Sequence, residues 1–119
     1  MQRHLRLRHR ADFARLRREG RTWRHPFLIL SATPNGRAHN RYGFITSKKL
    51  GNAVTRNRTR RLMREVVRQA HPRLRPGYDM VFIARKPIVG QPYRAVQEAI
   101  LHLLRQAHLL EERPEEQEP

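Results

Sequence analysis

The sequence predicts an α+β fold: a compact αβ sandwich with three helices packed on one small central sheet. Three observations predict it. Apolar residues recur at helical spacing through two stretches, around Leu62–Ala70 and from Tyr93 to Ala107. Short runs rich in β-branched and aromatic residues stand apart from them: "FLILSAT", "RYGFITS" and "MVFIA". The order is helix, strand, strand, helix, strand, helix, which suits helices layered on a single sheet.

Taken in order, Met1 to Arg10 form a basic arm with a flexible start. "ADFARLRREG" reads as a short helix in which Phe13 and Leu16 share a face and Gly20 is the stop. "FLILSAT", Phe27 to Thr33, is a strand, and Pro34, Asn35 and Gly36 supply a turn signal. With "RYGFITS" as its partner it predicts a hairpin. "KKLGNAV" leads into a basic helix, with Thr55 or the slightly earlier Asn52 as its cap. "HPRLRPGYD" ends that helix with two prolines and Gly77. "MVFIA" is continuously apolar, the mark of a buried strand. After the loop "RKPIVGQP", Pro92 suits the first turn of a last helix. In that helix Tyr93, Val96, Ile100, Leu103, Leu104 and Ala107 repeat at helical spacing. Residues 1–110 read as one domain, and the acidic, proline-bearing tail 111–119 reads as disordered.

Charge narrows the function. The 119 residues hold 26 Lys+Arg against 10 Asp+Glu, a formal net charge of +16. Self-repulsion of that size is relieved by a polyanionic partner, nucleic acid first and a membrane surface second. Lysine occurs only at Lys48, Lys49 and Lys86. Arginine's planar fork matches phosphate and stacks on bases. A coding bias toward arginine has the same effect on that ratio, but it does not explain the net charge. The absence of cysteine removes disulfides, thiolate zinc sites and cysteine nucleophiles. The basic N-terminus lacks a signal-peptide apolar run, and no stretch is apolar enough to span a bilayer, so the expected location is the cytoplasm.

The stretch "KKLGNAVTRNRTRRLMREVVRQ" concentrates the charge. At about 100° per residue, Arg61, Arg64 and Arg68 fall within about 40° of Asn57. Thr59, Leu62, Met63, Val66 and Ala70 fall on the far side. A solvated helix face mixes signs, yet Glu65 is the only carboxylate here. A ridge that tracks phosphates is the better account.

Three pieces resemble a known family, the protein subunit of bacterial ribonuclease P. They are "SKKLGNAVTRNRTRRLMR", similar to the family's arginine-asparagine-arginine signature, "ADFARL" near the start, and "ARKP" after the apolar strand. The resemblance runs in order from about His4 to about Leu110. It implies a sheet with a left-handed β-α-β crossover, against the usual right-handed rule. It also implies a subunit of the ribonuclease P holoenzyme, an endoribonuclease of tRNA 5′ maturation. In that enzyme the RNA subunit is the catalyst and uses Mg2+, while the protein binds that RNA and the 5′ leader of precursor tRNA and holds no cofactor itself.

By the resemblance, Arg56, Asn57, Arg58, Arg60, Arg61 and Arg64 face the catalytic RNA, with Lys48, Lys49 and Asn52 beside them and Arg68 continuing the ridge. Asn57 either reads a base edge or 2′-hydroxyl or holds the local structure. The leader groove, between the first helix and the sheet, is matched by Phe13, Phe27, Leu28 and Leu30. Arg17 stands where many relatives carry a second aromatic, so cation contacts replace some stacking there. Phe13 and Phe27 read equally well as plain core, and Trp23 reads as an ordinary half-buried aromatic. Arg85 and Lys86 either extend the basic surface or end a strand in solvent.

Catalysis by the polypeptide alone lacks candidates. The histidines show no acid–base pairing, and Asp12, Glu19, Glu65 and Asp79 are scattered. Neither HExxH nor a Gly-rich phosphate loop occurs, so no catalytic or metal-binding residue is assigned. The alternatives are a structural RNA-binding protein of ribosomal type, and a DNA reader, which would mix Asn and Gln into the ridge.

Overall fold

Strand β2, Leu28–Pro34, shows how the sheet divides its side chains. Successive residues of a strand point to opposite faces. Leu28, Leu30 and Ala32 are buried on one face, while Ile29 and Ser31 are half-buried on the other. Strand β4, Tyr78–Ala84, repeats this in register, with Leu30 opposite Phe82 and Ala32 opposite Met80. The even-numbered face carries helices α2, Ala53–Ala70, and α3, Tyr93–Gln106. Their Met63, Val66, Val67, Ile100, Leu103 and Leu104 complete the main core. The opposite face carries helix α1, Arg10–Glu19, over a smaller cluster of Leu7, Leu16, Val81, Phe13 and Ile83. The computed structural model describes residues 1–111, so all of the predicted acidic tail but Glu111 lies outside them.

The helices form where periodicity predicts. Asn52 caps α2, its side-chain oxygen accepting the Thr55 N–H at 2.9 Å. Thr59, Met63, Val66, Val67 and Ala70 are its buried stripe, and Leu62 is half-buried. In α3, which follows Pro92, the buried residues are Val96, Ala99, Ile100, Leu103 and Leu104.

The sheet departs from the expectation. Its order is β1-β2-β4-β3, with β1 spanning Arg21–Arg24 and β3 spanning Arg41–Ile45. The predicted hairpin between β2 and β3 does not form, because β4 lies between them, antiparallel to β2 and parallel to β3. Two asparagines of the connecting loop explain the displacement. Buried Asn40 donates to the Arg75 carbonyl at 2.9 Å and accepts the Tyr78 N–H at 2.8 Å. The Asn35 N–H donates to the Gly77 carbonyl at 2.8 Å. The loop is thus bonded to the chain entering β4 rather than folded back on β2. Helix α2 becomes the crossover of a parallel β3-α2-β4 unit. A strand buried on both faces reads as a continuous apolar run, which is what "MVFIA" is.

The basic arm is docked, not free. Leu5 enters the main core and Leu7 the α1 cluster. The Leu7 N–H donates to the Tyr42 carbonyl at 2.8 Å, and Arg6 bridges to Tyr42 in parallel. The arm therefore covers the outer edge of β3.

Candidate nucleic-acid interface

Helix α2 runs along β3 with its polar side outward. Asn57, Arg58, Arg61 and Arg68 are exposed, while Arg56, Arg60 and Arg64 are half-buried. The half-buried arginines are held. Arg56 donates to the Gly51 carbonyl at 2.9 Å. Arg60 donates to Asn57 Oδ1 at 2.9 Å and to Thr46 Oγ1 at 2.6 Å. The Arg64 guanidinium lies 5.9 Å from the ring centre of Phe44, which stacks on Phe82. Burial, then the charges of Arg6, Arg60 and Arg61, lower the Arg64 pKa from its ordinary value. The ridge is therefore a site of real like-charge crowding. Arg68 differs: it is bidentate to Glu65 at 2.9 and 2.6 Å, so its charge is partly answered. Lys48 and Lys49 are exposed on a short 3-10 turn before α2, and Asn52 is occupied as the cap.

On the other face, α1 leaves part of the sheet uncovered. A groove of about 200 Å³ lies there, floored by Ile29, Val81, Ile83 and Ile45 and walled by Phe13 and Arg17. Phe13 rests on the sheet where Gly43 leaves room: a Cβ at Gly43 would come within 2.9 Å of the ring. The ring is half-buried, at once packed against the sheet and open to the groove.

Three of the residues predicted for the leader groove do not line it. Leu28 and Leu30 have no exposed surface and point into the main core, beneath α2 and α3. Phe27 packs against that same core, its ring 5.0 Å from His25. The run "FLILSAT" is apolar on both faces, so alternation alone did not say which face met α1. The groove uses the other register, Ile29 with Ile83 and Ile45, and sequence reasoning missed all three.

A buried ion cluster fixes α1 over the sheet. Asp79 has no exposed surface and accepts from Arg41 Nε at 2.9 Å and Nη2 at 2.8 Å. It also accepts from Asn35 Nδ2 at 3.0 Å and pairs with Arg15 of α1. Arg41 reaches Asp12 of α1 at 3.1 Å. Burial alone would raise Asp79; the hydrogen bonds from Arg41 and Asn35, with the charges of Arg41 and Arg15, outweigh it and hold the carboxyl below its ordinary value. Asp12 and Asp79, scattered in sequence, thus meet at one guanidinium.

The histidines are brought together more than the sequence suggested. His4 and His39 lie with ring centres 5.2 Å apart, and His25 and His102 6.2 Å apart. Burial pushes the Tyr42 phenol up to about 12, and it meets His71 Nδ1 at 2.6 Å. Among the described residues, no group of three His, Asp or Glu side chains is placed to hold a metal ion. Among the same residues no helix is long and apolar enough to cross a membrane.

Comparison with known proteins gives this arrangement a family. The sequence model of the Ribonuclease P family matches residues 1–108. The ribonuclease P protein component of Chloroflexus aurantiacus is 50% identical over 111 residues, covering 92% of this chain and 82% of that protein. That of Roseiflexus castenholzii is 46% identical over 112 residues, covering 93% and 92%. The Staphylococcus aureus RNase P protein superimposes with a TM-score of 0.83 at 30% identity, covering 89% of this chain and 97% of that one. The Thermotoga maritima RNase P protein does so with a TM-score of 0.79 at 30% identity, covering 85% and 96%. With half of the 111 aligned residues identical in one such component and its fold shared with two others, the chain belongs to the ribonuclease P protein family.

Proposed function

We propose that this chain is the ribonuclease P subunit that binds the catalytic RNA along the α2 ridge and the 5′ leader of precursor tRNA along the α1 groove. In this reading it assists removal of the leader, while the RNA, with Mg2+, carries the chemistry in the cytoplasm. One observation supports the pairing of roles above the rest. Ile45 floors the groove, and its neighbour Thr46 holds Arg60 of the ridge at 2.6 Å. The two surfaces therefore meet at the end of one strand, so an RNA on the ridge and a single strand in the groove lie side by side. The ridge suits phosphates through charge and arginine forks. The groove offers an apolar floor and one aromatic edge beside a cation, which suits an extended strand of any sequence.

The test is cleavage of precursor tRNA by a bacterial ribonuclease P RNA at low magnesium, with and without this protein. Rescue of cleavage at the mature 5′ end is expected, with no cleavage by the protein alone. A structural protein of ribosomal type would bind RNA without that rescue. Cleavage by RNA-free protein would overturn the assignment of catalysis to the RNA.

A further inference from the structure

Two arginines of the ridge stand over two residues of one strand. Four residues of a helix rise about 6 Å and two residues of a strand about 6.6 Å, so a helix laid along a strand can keep step with it. Helix α2 does so on β3: the Arg64 guanidinium lies 5.9 Å from the Phe44 ring centre, and Arg60 reaches Thr46 Oγ1 at 2.6 Å. Ile45, between Phe44 and Thr46, floors the α1 groove on the other face. Thr46, one residue beyond β3, therefore continues the side of the strand that meets α2.

Arg60 is held there against repulsion. Arg56 and Arg64 lie one turn away on α2, and like charges at that spacing repel. After burial and Arg6, the charges of Arg60 and Arg61 are what lower the Arg64 pKa. No carboxylate of the helix holds Arg60, because Glu65 is engaged with Arg68 and Gln69. Its partners are neutral: Nη2 donates to the Thr46 hydroxyl oxygen, and Nη1 donates to Asn57 Oδ1 at 2.9 Å. Arg68 shows the contrast. Glu65 fixes Arg68 and answers its charge at once, whereas a hydroxyl and an amide oxygen fix a guanidinium and leave its charge whole. The other N–H groups of the Arg60 fork are left for phosphate oxygens.

We propose that Thr46 is a positioning residue for RNA binding: its hydroxyl, with Asn57 Oδ1, holds Arg60 beside Arg64 so that a pair of guanidiniums stands ready for the RNA backbone before RNA arrives. This rests on the ridge binding RNA. Arg60 then has little rotamer freedom to lose on binding, which is how preorganisation raises affinity.

The test separates orientation from charge. Thr46→Val keeps the shape of the side chain and every cation, and removes the acceptor. Affinity of the full chain for a bacterial ribonuclease P RNA is measured across a salt series. Thr46→Val should bind about two- to twelvefold more weakly at every salt concentration, the factor for ordering one rotamer-rich side chain. Its log–log line should run parallel to that of the natural chain, because the same cations still meet phosphates. Arg60→Ala should instead flatten the slope by roughly 0.7 to 0.9. Thr46→Ser, which keeps the hydroxyl, should restore affinity. In an Arg60→Ala background Thr46→Val should change nothing further, since a positioning residue acts only through the group it positions. Natural affinity in Thr46→Val, a loss that serine does not restore, or an equal loss in the absence of Arg60 overturns the proposal. Arg61→Ala tells that failure from failure of the ridge. If Arg61→Ala weakens binding and Thr46→Val does not, the ridge stands and the positioning role falls; if neither weakens it, both readings fall.

Discussion

Replacing Asp79 with asparagine removes the charge that holds α1 to the sheet. The side chain is fully buried, and its partners Arg41 and Arg15 are 11% and 26% exposed. Breaking a buried pair and leaving its cation costs about 3–5 kcal/mol. Two features of the site place this variant near the lower end of that range. Arg41 retains Asp12, and Arg15 reaches solvent. A loss of about 3 kcal/mol is therefore expected, read by urea unfolding at pH 7. Small domains hold about 5–15 kcal/mol, so the variant should remain folded at room temperature. The pH dependence follows from the lowered folded-state value of Asp79. Its contribution is complete above the ordinary carboxylate value of about 3.9 and is lost as pH falls through the lower folded value. The gap between the natural chain and Asp79→Asn should be flat from pH 8 to 5 and close in stronger acid. Loosening α1 should also reduce the preference for precursor over mature tRNA, while affinity for the catalytic RNA through α2 persists. A stability loss below about 1 kcal/mol, or a gap that stays open in acid, would refute the claim that this ion cluster anchors α1.

Arg61→Ala with Arg64→Ala should weaken binding to the catalytic RNA and lower its log–log salt slope by roughly 0.7 to 0.9 for each phosphate no longer neutralised; an equal slope would make the ridge an ordinary solvated face. Leu30→Ala should cost about 2–5 kcal/mol as a core deletion yet leave the precursor-to-mature ratio of the folded protein unchanged. A fall in that ratio with normal stability would return Leu30 to the groove. Phe13→Ala should lower the ratio by the worth of one base–aromatic stack, about 1–3 kcal/mol. Because the ring is only half-buried, its stability loss should fall short of the about 3–5 kcal/mol of a core phenylalanine. A core-sized loss with an unchanged ratio would make Phe13 a packing residue.

Helical periodicity carried most of what the sequence disclosed. In α2 and α3 the buried stripe and polar face are set by local spacing, so Met63, Val66, Ile100 and Leu103 could be placed without the sheet. The strands were legible one by one, but their pairing was not. β3 and β4 are joined through α2, and the loop bonds of Asn35 and Asn40 that exclude the hairpin reach 35 or more residues ahead. β1 was missed because "RTWR" is an edge strand with charged ends, and edge strands lack apolar alternation. In the arm, Leu5 and Leu7 alternate with arginines, a strand-like signal masked by the charge around it. The ridge arginines were legible because charge and period coincide there. The groove was half legible: Phe13 and Arg17 lie on a helix whose inner face is evident, whereas Ile29, Ile45 and Ile83 depend on which sheet face α1 covers.

The few carboxylates separate two classes of arginine. Asp79 and Asp12 engage Arg15 and Arg41, and Glu65 engages Arg68. Each of these acids fixes an arginine to the fold or along its own helix. Arg58 and Arg61 have no carboxylate partner among the described residues, and Arg64 meets only an aromatic ring and other cations. Among the described residues Asp12, Glu19 and Asp79 gather at the α1 anchor, and the α2 ridge keeps only Glu65. At Arg64 burial first, and then the neighbouring cations Arg6, Arg60 and Arg61, disfavour the charged form. A polyanion laid along the ridge reverses that effect. If the ridge binds RNA as proposed, the RNA should by linkage stabilise the fold that binds it, read as a rise in the protein's melting temperature on adding the catalytic RNA.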